Sequence, residues 1–356
     1  MTTRDRYRAY ADRIEPVSPS YAAWARTLDD DLVALLDSLP EQRRQPELVF
    51  AVARRLGADP TDPDALRALG REARLALVTQ LPSATVQTND PRRLAPVVPL
   101  FAALAARSSQ PLGLVDAGAA AGLCSIPDRV TLDYTGADVG GRLRAPGWTS
   151  RPGATGRVVR EGARTARVRM HTAVAEPALH LVAEASGVVP APASVPVRIG
   201  ARVALDPNPI DLTVPGAFDR LVEAVPPEAT DRTALMREAA SAARAVPPVR
   251  LRGTLPGDLD GALDHLPDDC EPVVLTTGTL VYVPGTDRQR VVDRLAERGV
   301  HWVALERTGI LAGVAATLPA DVDADDPDAF ATVSLDGVAV AVCDPFGTRV
   351  RWLRDL

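Results

Sequence analysis

Cysteine, histidine, aromatic residues and excess basic charge are all scarce in this 356-residue chain. The three cysteines, Cys124, Cys270 and Cys343, are odd in number, far apart and without a Cys-x-x-Cys pair, which argues against a disulfide framework or a zinc ribbon. They read as reduced, small buried residues. The four histidines, His171, His180, His265 and His301, do not have metal-ligand spacing, so no metal site is expected. Aromatics make up 4% of the chain against 46% hydrophobic residues overall, so Leu, Val and Ala must fill the core, as in α/β proteins with a buried Val/Leu-rich sheet. The net charge of −6 is opposite in sign to the field of a general nucleic-acid binder, and no nucleic acid is expected as a partner. No apolar run approaches the roughly 18 residues of a membrane span. Met1 to Ile14 is charged and lacks the apolar centre of a leader, so the expectation is a cytoplasmic protein without a membrane partner. Gly-x-Ser-x-Gly, Walker and His-Glu-x-x-His motifs are missing too.

What is present divides into two parts. Residues 1–108 read as an N-terminal helical subdomain that would cap a pocket. From Ser20, a plausible N-cap, the apolar positions Tyr21, Trp24, Leu28, Leu32, Leu35, Leu36 and Leu39 fall on one helical stripe ending at Pro40. Further helices fit Pro46–Leu56, Pro63–Leu77 and Pro91–Ala106, with proline at the start of each. Residues 109–356 follow an α/β rhythm. Strands are expected at Leu112–Val115, Ala201–Leu205, Val249–Leu251, Pro272–Thr276 and His301–Leu305, the fourth so apolar that it should be central. Helices are expected over residues 119–129, 217–225, 231–245 and 287–298, and closing strands over 331–335, 337–343 and 349–353. The Gly-, Pro- and Arg-rich stretch at about 134–197 interrupts this rhythm and reads as an insertion, with antiparallel hairpins as one reading. The whole is expected to be a doubly wound, Rossmann-like α/β sheet.

The chemistry centres on Asp116-Ala117-Gly118-Ala119-Ala120-Ala121-Gly122, at the end of the first expected strand. Gly118 permits a tight turn, Gly122 permits close packing, and a following helix would offer free N–H groups and its positive end to a ligand. The dinucleotide pattern Gly-x-Gly-x-x-Gly is not met, which leaves less room for a pyrophosphate and suits S-adenosylmethionine (SAM), which has no phosphate, better than NAD. A strand–helix turn with no ligand is the competing reading. Asp206 ends a later strand in Asp206-Pro207-Asn208-Pro209, where it would accept ribose hydroxyls or serve an ordinary turn. It lies 90 residues past Asp116, against about 20 in an uninterrupted unit, and the insertion accounts for the excess. The expected cofactor-binding residues are therefore Asp116, Gly118, Gly122 and Asp206.

Catalytic residues are less defined. Tyr282 and Glu306 follow the ends of the fourth and fifth strands, where open α/β sheets bind ligands. The plainer readings are a packed tyrosine and a glutamate paired with an arginine such as Arg307 or facing solvent. Asn89, in Gln87-Thr88-Asn89-Asp90, is a third candidate, although Asn89 or Asp90 could simply cap the helix that follows. Arg92 and Arg93 could face an anionic group of a ligand.

Six segments in order resemble a bacterial family known as domain of unknown function 2332: Arg44-Gln45-Pro46, Gln87-Thr88-Asn89-Asp90, Val115 through Leu123, Asp206 through Asp211, Leu280 through Pro284, and Asp344-Pro345-Phe346-Gly347. That family resembles class I SAM-dependent methyltransferases. The resemblance implies a Rossmann-like fold, SAM as cofactor and a small-molecule substrate, without naming the substrate. Two positions depart from it: Gly253-Thr254 stands where the family often has Gly-Asp, and Phe346 where it tends to have histidine. The Asn/Asp-Pro-Pro-Tyr run of amino-methylating enzymes is replaced by Thr276-Thr277-Gly278-Thr279. The expected function is a SAM-dependent, methyltransferase-like protein acting on a small molecule. The alternatives are a non-catalytic ligand-binding or interaction protein that retains the fold, and a nicotinamide-dependent oxidoreductase, against which the absent third glycine counts.

Overall fold

Capping chemistry decides where the N-terminal helices begin and end. In a computed structural model, which describes residues 1–82, 84, 87, 89–136, 156–161, 165–171, 178–190 and 196–356, Ser18 accepts the N–H of Tyr21 and starts a helix at Pro19–Arg26. Asp29 accepts the N–H of Leu32 and starts a second at Asp30–Asp37. The single helix expected from Ser20 is thus two, and its cap is Ser18. The break is held by Thr27, whose hydroxyl donates to the Trp24 and Pro63 carbonyls instead of facing solvent. Pro46–Arg55 forms as expected. The stretch from Pro63 divides at Ala73 into Ala65–Glu72 and Arg74–Gln80.

These helices build the first of two compact units, residues 1–88 together with 212–237. Five of the chain's few aromatics gather in its core. Phe50 takes edge contacts from Tyr7, Tyr10, Tyr21 and Trp24 at centroid distances of 5.0–6.0 Å, a geometry favoured by the ring quadrupoles. The later segment joins through polar ties: Arg54 donates to the Glu223 carbonyl at 3.0 Å, and Glu228 accepts from the Ser18 hydroxyl at 2.6 Å and the Ser20 N–H at 2.8 Å.

The second unit, residues 89–211 and 238–356, is organised by one mixed sheet. Its strands are β1 (Leu112–Ala117), β2 (Val130–Gly136), β3 (Gly156–Glu161), β4 (Thr165–His171), β5 (Leu179–Gly187), β6 (Ile199–Asp206), β7 (Val249–Arg252), β8 (Glu271–Thr277), β9 (His301–Arg307), β10 (Ala331–Leu335), β11 (Val338–Cys343) and β12 (Arg349–Trp352). Their order is β3-β4-β2-β5-β12-β11-β10-β9-β8-β1-β6-β7. The five strands from β7 to β9 are mutually parallel. From β1 the chain order runs outward through β6 and β7 on one side, and through β8 and β9 on the other. β1 is buried along its whole length and β8 from Val273 to Thr277, as the apolar runs Leu112–Val115 and Val273–Leu275 require in a sheet covered on both faces. β9 to β12 then form an antiparallel meander.

The stretch from 134 to 197 supplies the far end of the same sheet. β3 and β4 pair antiparallel, as does β4 with β2. β5, however, lies parallel to both β2 and β12, so this region is not a set of simple hairpins. Residues 137–155, 162–164, 172–177 and 191–195 of that stretch lie outside the described residues. No helix of the described residues is long and apolar enough to cross a membrane.

The helix Leu94–Arg107 is apolar on all sides and almost wholly buried, as a helix without a polar face must be. It packs against β9 and β10 and also against β2 and β5, so the sheet curves around it. Pro99 lies inside this helix and removes the N–H that would bond the Ala95 carbonyl. Tyr134 of β2 replaces that donor: its buried hydroxyl donates to the Ala95 oxygen at 2.7 Å. Tyr134→Phe leaves this carbonyl without a donor and is expected to cost about 1–3 kcal/mol. In a Pro99→Ala background, where the helical N–H is restored, the same change is expected to cost less. Urea denaturation of the four proteins checks the cycle; equal costs in both backgrounds would contradict it.

Candidate functional site

The carboxyl ends of β1, β6, β8 and β9 meet a turn built around left-handed backbone. Gly118, Ala120 and Gly122 have φ of +85°, +49° and +74°. The helix expected over 119–129 does not form, because three left-handed residues in five break the right-handed repeat and Pro127 follows. The segment is a series of turns ending in one 3-10 turn at Pro127–Arg129. No helix therefore begins within this turn.

The N–H groups of Gly118, Ala119, Ala120, Gly122, Leu123 and Ser125 find partners within the protein. Gly118 donates to the Leu205 carbonyl at 2.7 Å, Gly122 to Ala119 at 2.7 Å and Ser125 to Gly122 at 3.1 Å. Leu123 donates to the Asn89 side-chain oxygen at 2.6 Å. Ala120, for which a left-handed backbone costs roughly 1–2 kcal/mol, is clamped on both sides: its N–H donates to Asp206 Oδ2 at 2.9 Å, and its carbonyl accepts the Ile210 N–H at 2.9 Å. The segments Val115–Leu123 and Asp206–Asp211, distant in sequence, are thus docked on each other.

Asp116 sits beneath the turn with 1% exposure. Its Oδ2 accepts the Ser125 hydroxyl at 2.6 Å, and its buried Oδ1 has no partner among the described residues. Burial raises its pKa to about 7; the Ser125 hydrogen bond opposes the rise and the negative charge of Asp206 adds to it. Asp206, also buried, accepts the Asn208 N–H through Oδ1 at 2.7 Å. The two acids end β1 and β6, neighbours in the sheet.

Across the end of β8, the Thr279 hydroxyl donates to the Ala117 carbonyl at 2.8 Å. It fills the space over Gly118, where a Cβ would lie 2.2 Å from Thr279 Oγ1. Glu306 neither pairs with Arg307 nor faces solvent. It is buried, and its two oxygens accept the N–H groups of Thr279 and Leu280 at 3.0 and 3.1 Å. Burial pushes its pKa up to about 7, against those hydrogen bonds. Tyr282, by contrast, is 78% exposed and stands outside this buried cluster.

Arg93 reaches the same region, donating to the Thr277 carbonyl at 2.9 Å. Asp90 caps the turn Pro91–Arg93 by accepting the Arg92 N–H, and also binds the Arg92 guanidinium at 2.6 Å. That guanidinium lies 4.3 Å from the centre of the Phe346 ring, so the position where the resembling family tends to have histidine holds an aromatic under a cation. Thr254 donates its N–H to Asp258 Oδ2 at 2.7 Å. All three cysteines are free and buried; burial pushes the Cys124 thiol up to about 12, so it is a neutral thiol beside the turn.

Asp116, Gly118, Gly122, Asp206 and Asn89 are brought to one turn, and Glu306 to the neighbouring strand end, linked through Thr279. Sequence reading missed Ser125 and Thr279. Nothing at Ser125 marks it as the donor to a carboxylate nine residues earlier. Thr279 stood in the segment after the fourth strand, where it was noted only for lacking a motif.

The mixed α/β sheet with acids at the ends of its parallel strands defines a class of architecture. Within it, this chain belongs to the family described as an uncharacterized protein conserved in bacteria, domain of unknown function 2332, whose model matches residues 4–352. No curated protein and no solved structure matches the chain.

The raised Asp116 pKa has a consequence for stability. An unfolded aspartate ionises near pH 3.8 and the folded one near 7, so stability present below the lower value is lost as pH rises through the higher one. Asp116→Asn, which keeps an acceptor for Ser125, is expected to melt above the wild type at about pH 8, with the difference shrinking toward about pH 4. Thermal melts across that range check this; a difference independent of pH would contradict it.

Proposed function

We propose that this protein binds SAM at the carboxyl ends of β1 and β6 and is a methyltransferase-like protein acting on a small molecule. One observation carries the reading. The parallel strands are ordered β7-β6-β1-β8-β9, matching the first five positions of the 3-2-1-4-5-6 Rossmann order, in which the direction reverses between β1 and β8; Asp116 ends β1 at that switch point and Asp206 ends its neighbour β6. Ligands of open α/β sheets bind at such switch points.

The residues fit the cofactor. Asp116 has a buried oxygen without a partner, suited to an amine donor. Asp206 is a buried acid at the end of the strand beside β1, the position from which a ribose-binding acid meets the hydroxyls. The amides of Gly118, Ala120, Gly122, Leu123 and Ser125 are engaged within the protein, which disfavours a pyrophosphate and hence a nicotinamide dinucleotide. SAM supplies an electrophilic methyl group when bound. Its transfer depends chiefly on proximity and orientation, so the turn and Thr279 would serve by fixing geometry. Glu306, with its proton affinity raised toward neutrality, is the group suited to holding a proton from an acceptor.

A second reading, ligand binding without chemistry, has its own support: both Glu306 oxygens are engaged in capping, and Tyr282 stands in solvent. Isothermal titration with SAM and with its demethylated product tests the shared premise. Both are expected to bind wild type, and Asp206→Asn to weaken binding roughly tenfold through loss of charge-assisted hydrogen bonds. No heat with either ligand would end the SAM reading. Binding with no methyl transfer to any acceptor would favour the second.

A further inference from the structure

Beyond β9 the chain makes a rigid corner. Thr308 is buried, donating its N–H to the Phe330 carbonyl at 2.9 Å and its hydroxyl to the Ala329 carbonyl at 2.6 Å. Gly309 adopts φ +82° and Ile310 bonds back to the Arg307 carbonyl at 3.1 Å. This corner and the turn after β8 enclose an open groove of about 400 Å³ lined by Val281, Arg288, Arg307, Thr308, Gly309 and Ile310, within the size range of small-molecule sites. Its floor is pinned by backbone hydrogen bonds and needs no rearrangement to receive a ligand.

Charge sets the kind of ligand. Two guanidinium groups line the groove and no acid does. Arg288 anchors itself through Nε to the Leu280 and Val283 carbonyls, at 2.9 and 3.0 Å. Among the described residues its two terminal nitrogens hold no carboxylate. Arg307 forms no ion pair among them either; its guanidinium lies 5.7 Å from the centre of the half-exposed Phe330 ring. By contrast Arg290, Arg294 and Arg298, on the same helix as Arg288, each meet an acid. Val281 and Ile310 offer apolar walls between them, and the adjoining Tyr282 is 78% exposed.

We infer that this groove is a binding site for a small organic anion, with a carboxylate or phosphate held by Arg288 and Arg307 and an apolar or aromatic body lying on Val281 and Ile310. The planar guanidinium fork can hold two oxygens of either a carboxylate or a phosphate at once. The inference stands without a cofactor at Asp116 and Asp206, and its test is run without one.

The probes are phenyl phosphate, benzoate and the neutral benzyl alcohol, titrated into the full chain by calorimetry at low salt. At least one of the two anions is expected to bind, the alcohol not to, and affinity to fall as ionic strength rises. Arg307→Gln, which touches no hydrogen bond of the fold, is expected to weaken the bound anion roughly tenfold, and Arg307→Glu to weaken it further. Arg288→Gln should act in the same direction, and its melting temperature reports whether the turn after β8 survives the loss of the Nε anchor. No binding of either anion, or binding left unchanged in Arg307→Gln and Arg307→Glu, would overturn the inference. The two arms also decide between the sources: preference for phenyl phosphate indicates a phosphorylated ligand, and preference for benzoate a carboxylic acid.

Discussion

The turn from Asp116 to Ser125 has to satisfy its own backbone without becoming a helix. Gly118, Ala120 and Gly122 take left-handed conformations, so the amides cannot form a helical ladder and must find partners one at a time. Leu205 and Asp206 of β6, Asn89 from the approach to the buried helix, and Ala119 and Gly122 of the turn itself accept from them, while Ile210 from the loop after β6 donates to the Ala120 carbonyl. Thr279 closes the group from the end of β8. The strand ends are therefore cross-braced through one short peptide, and the site is as much a structural knot as a cleft.

Two carboxyl groups, Asp116 and Glu306, have proton affinities raised by burial to near neutrality. They differ in how their oxygens are used. Glu306 spends both on capping the turn after β8, whereas Asp116 keeps one without a partner. A buried acceptor in that state costs the protein stability, and such residues concentrate at functional sites. The same pattern recurs in opposite sign beyond the carboxyl ends of β8 and β9, where Arg288 and Arg307 share a groove without an acid. Donor capacity at one site and acceptor capacity at the other fit a protein that handles a polar small molecule.

Much of this was legible in the sequence because it follows from local rules. Val273 to Leu275 carry no polar side chain and lie in a central strand. The glycine after Arg298 ends its helix in the left-handed conformation. The closing strands expected over 331–335, 337–343 and 349–353 form at Ala331–Leu335, Val338–Cys343 and Arg349–Trp352. Other features depend on contacts that no local pattern encodes. Ala119 to Ala121 favour a helix by propensity, and only the clamp on Ala120 from Asp206 and Ile210 explains why none forms. Tyr134 is matched to Pro99 through a carbonyl that neither residue marks in the sequence. Glu306 reads as a surface acid beside Arg307, because the amides that draw it inward come from residues 279 and 280. The parallel pairing of β5 with β2 and β12 was likewise out of reach, since an alternating strand looks the same beside either kind of neighbour.

The central claim is that the acids ending β1 and β6 hold a SAM molecule at the carboxyl end of the parallel strands, with β1 flanking the point where their order reverses. A crystal structure of the protein grown with SAM or its demethylated product tests this most directly. The account predicts ligand density between Gly118 and Asp206, with a donor on the open Asp116 oxygen. A well-ordered structure at saturating ligand with that position empty, or with the ligand bound elsewhere, would contradict it.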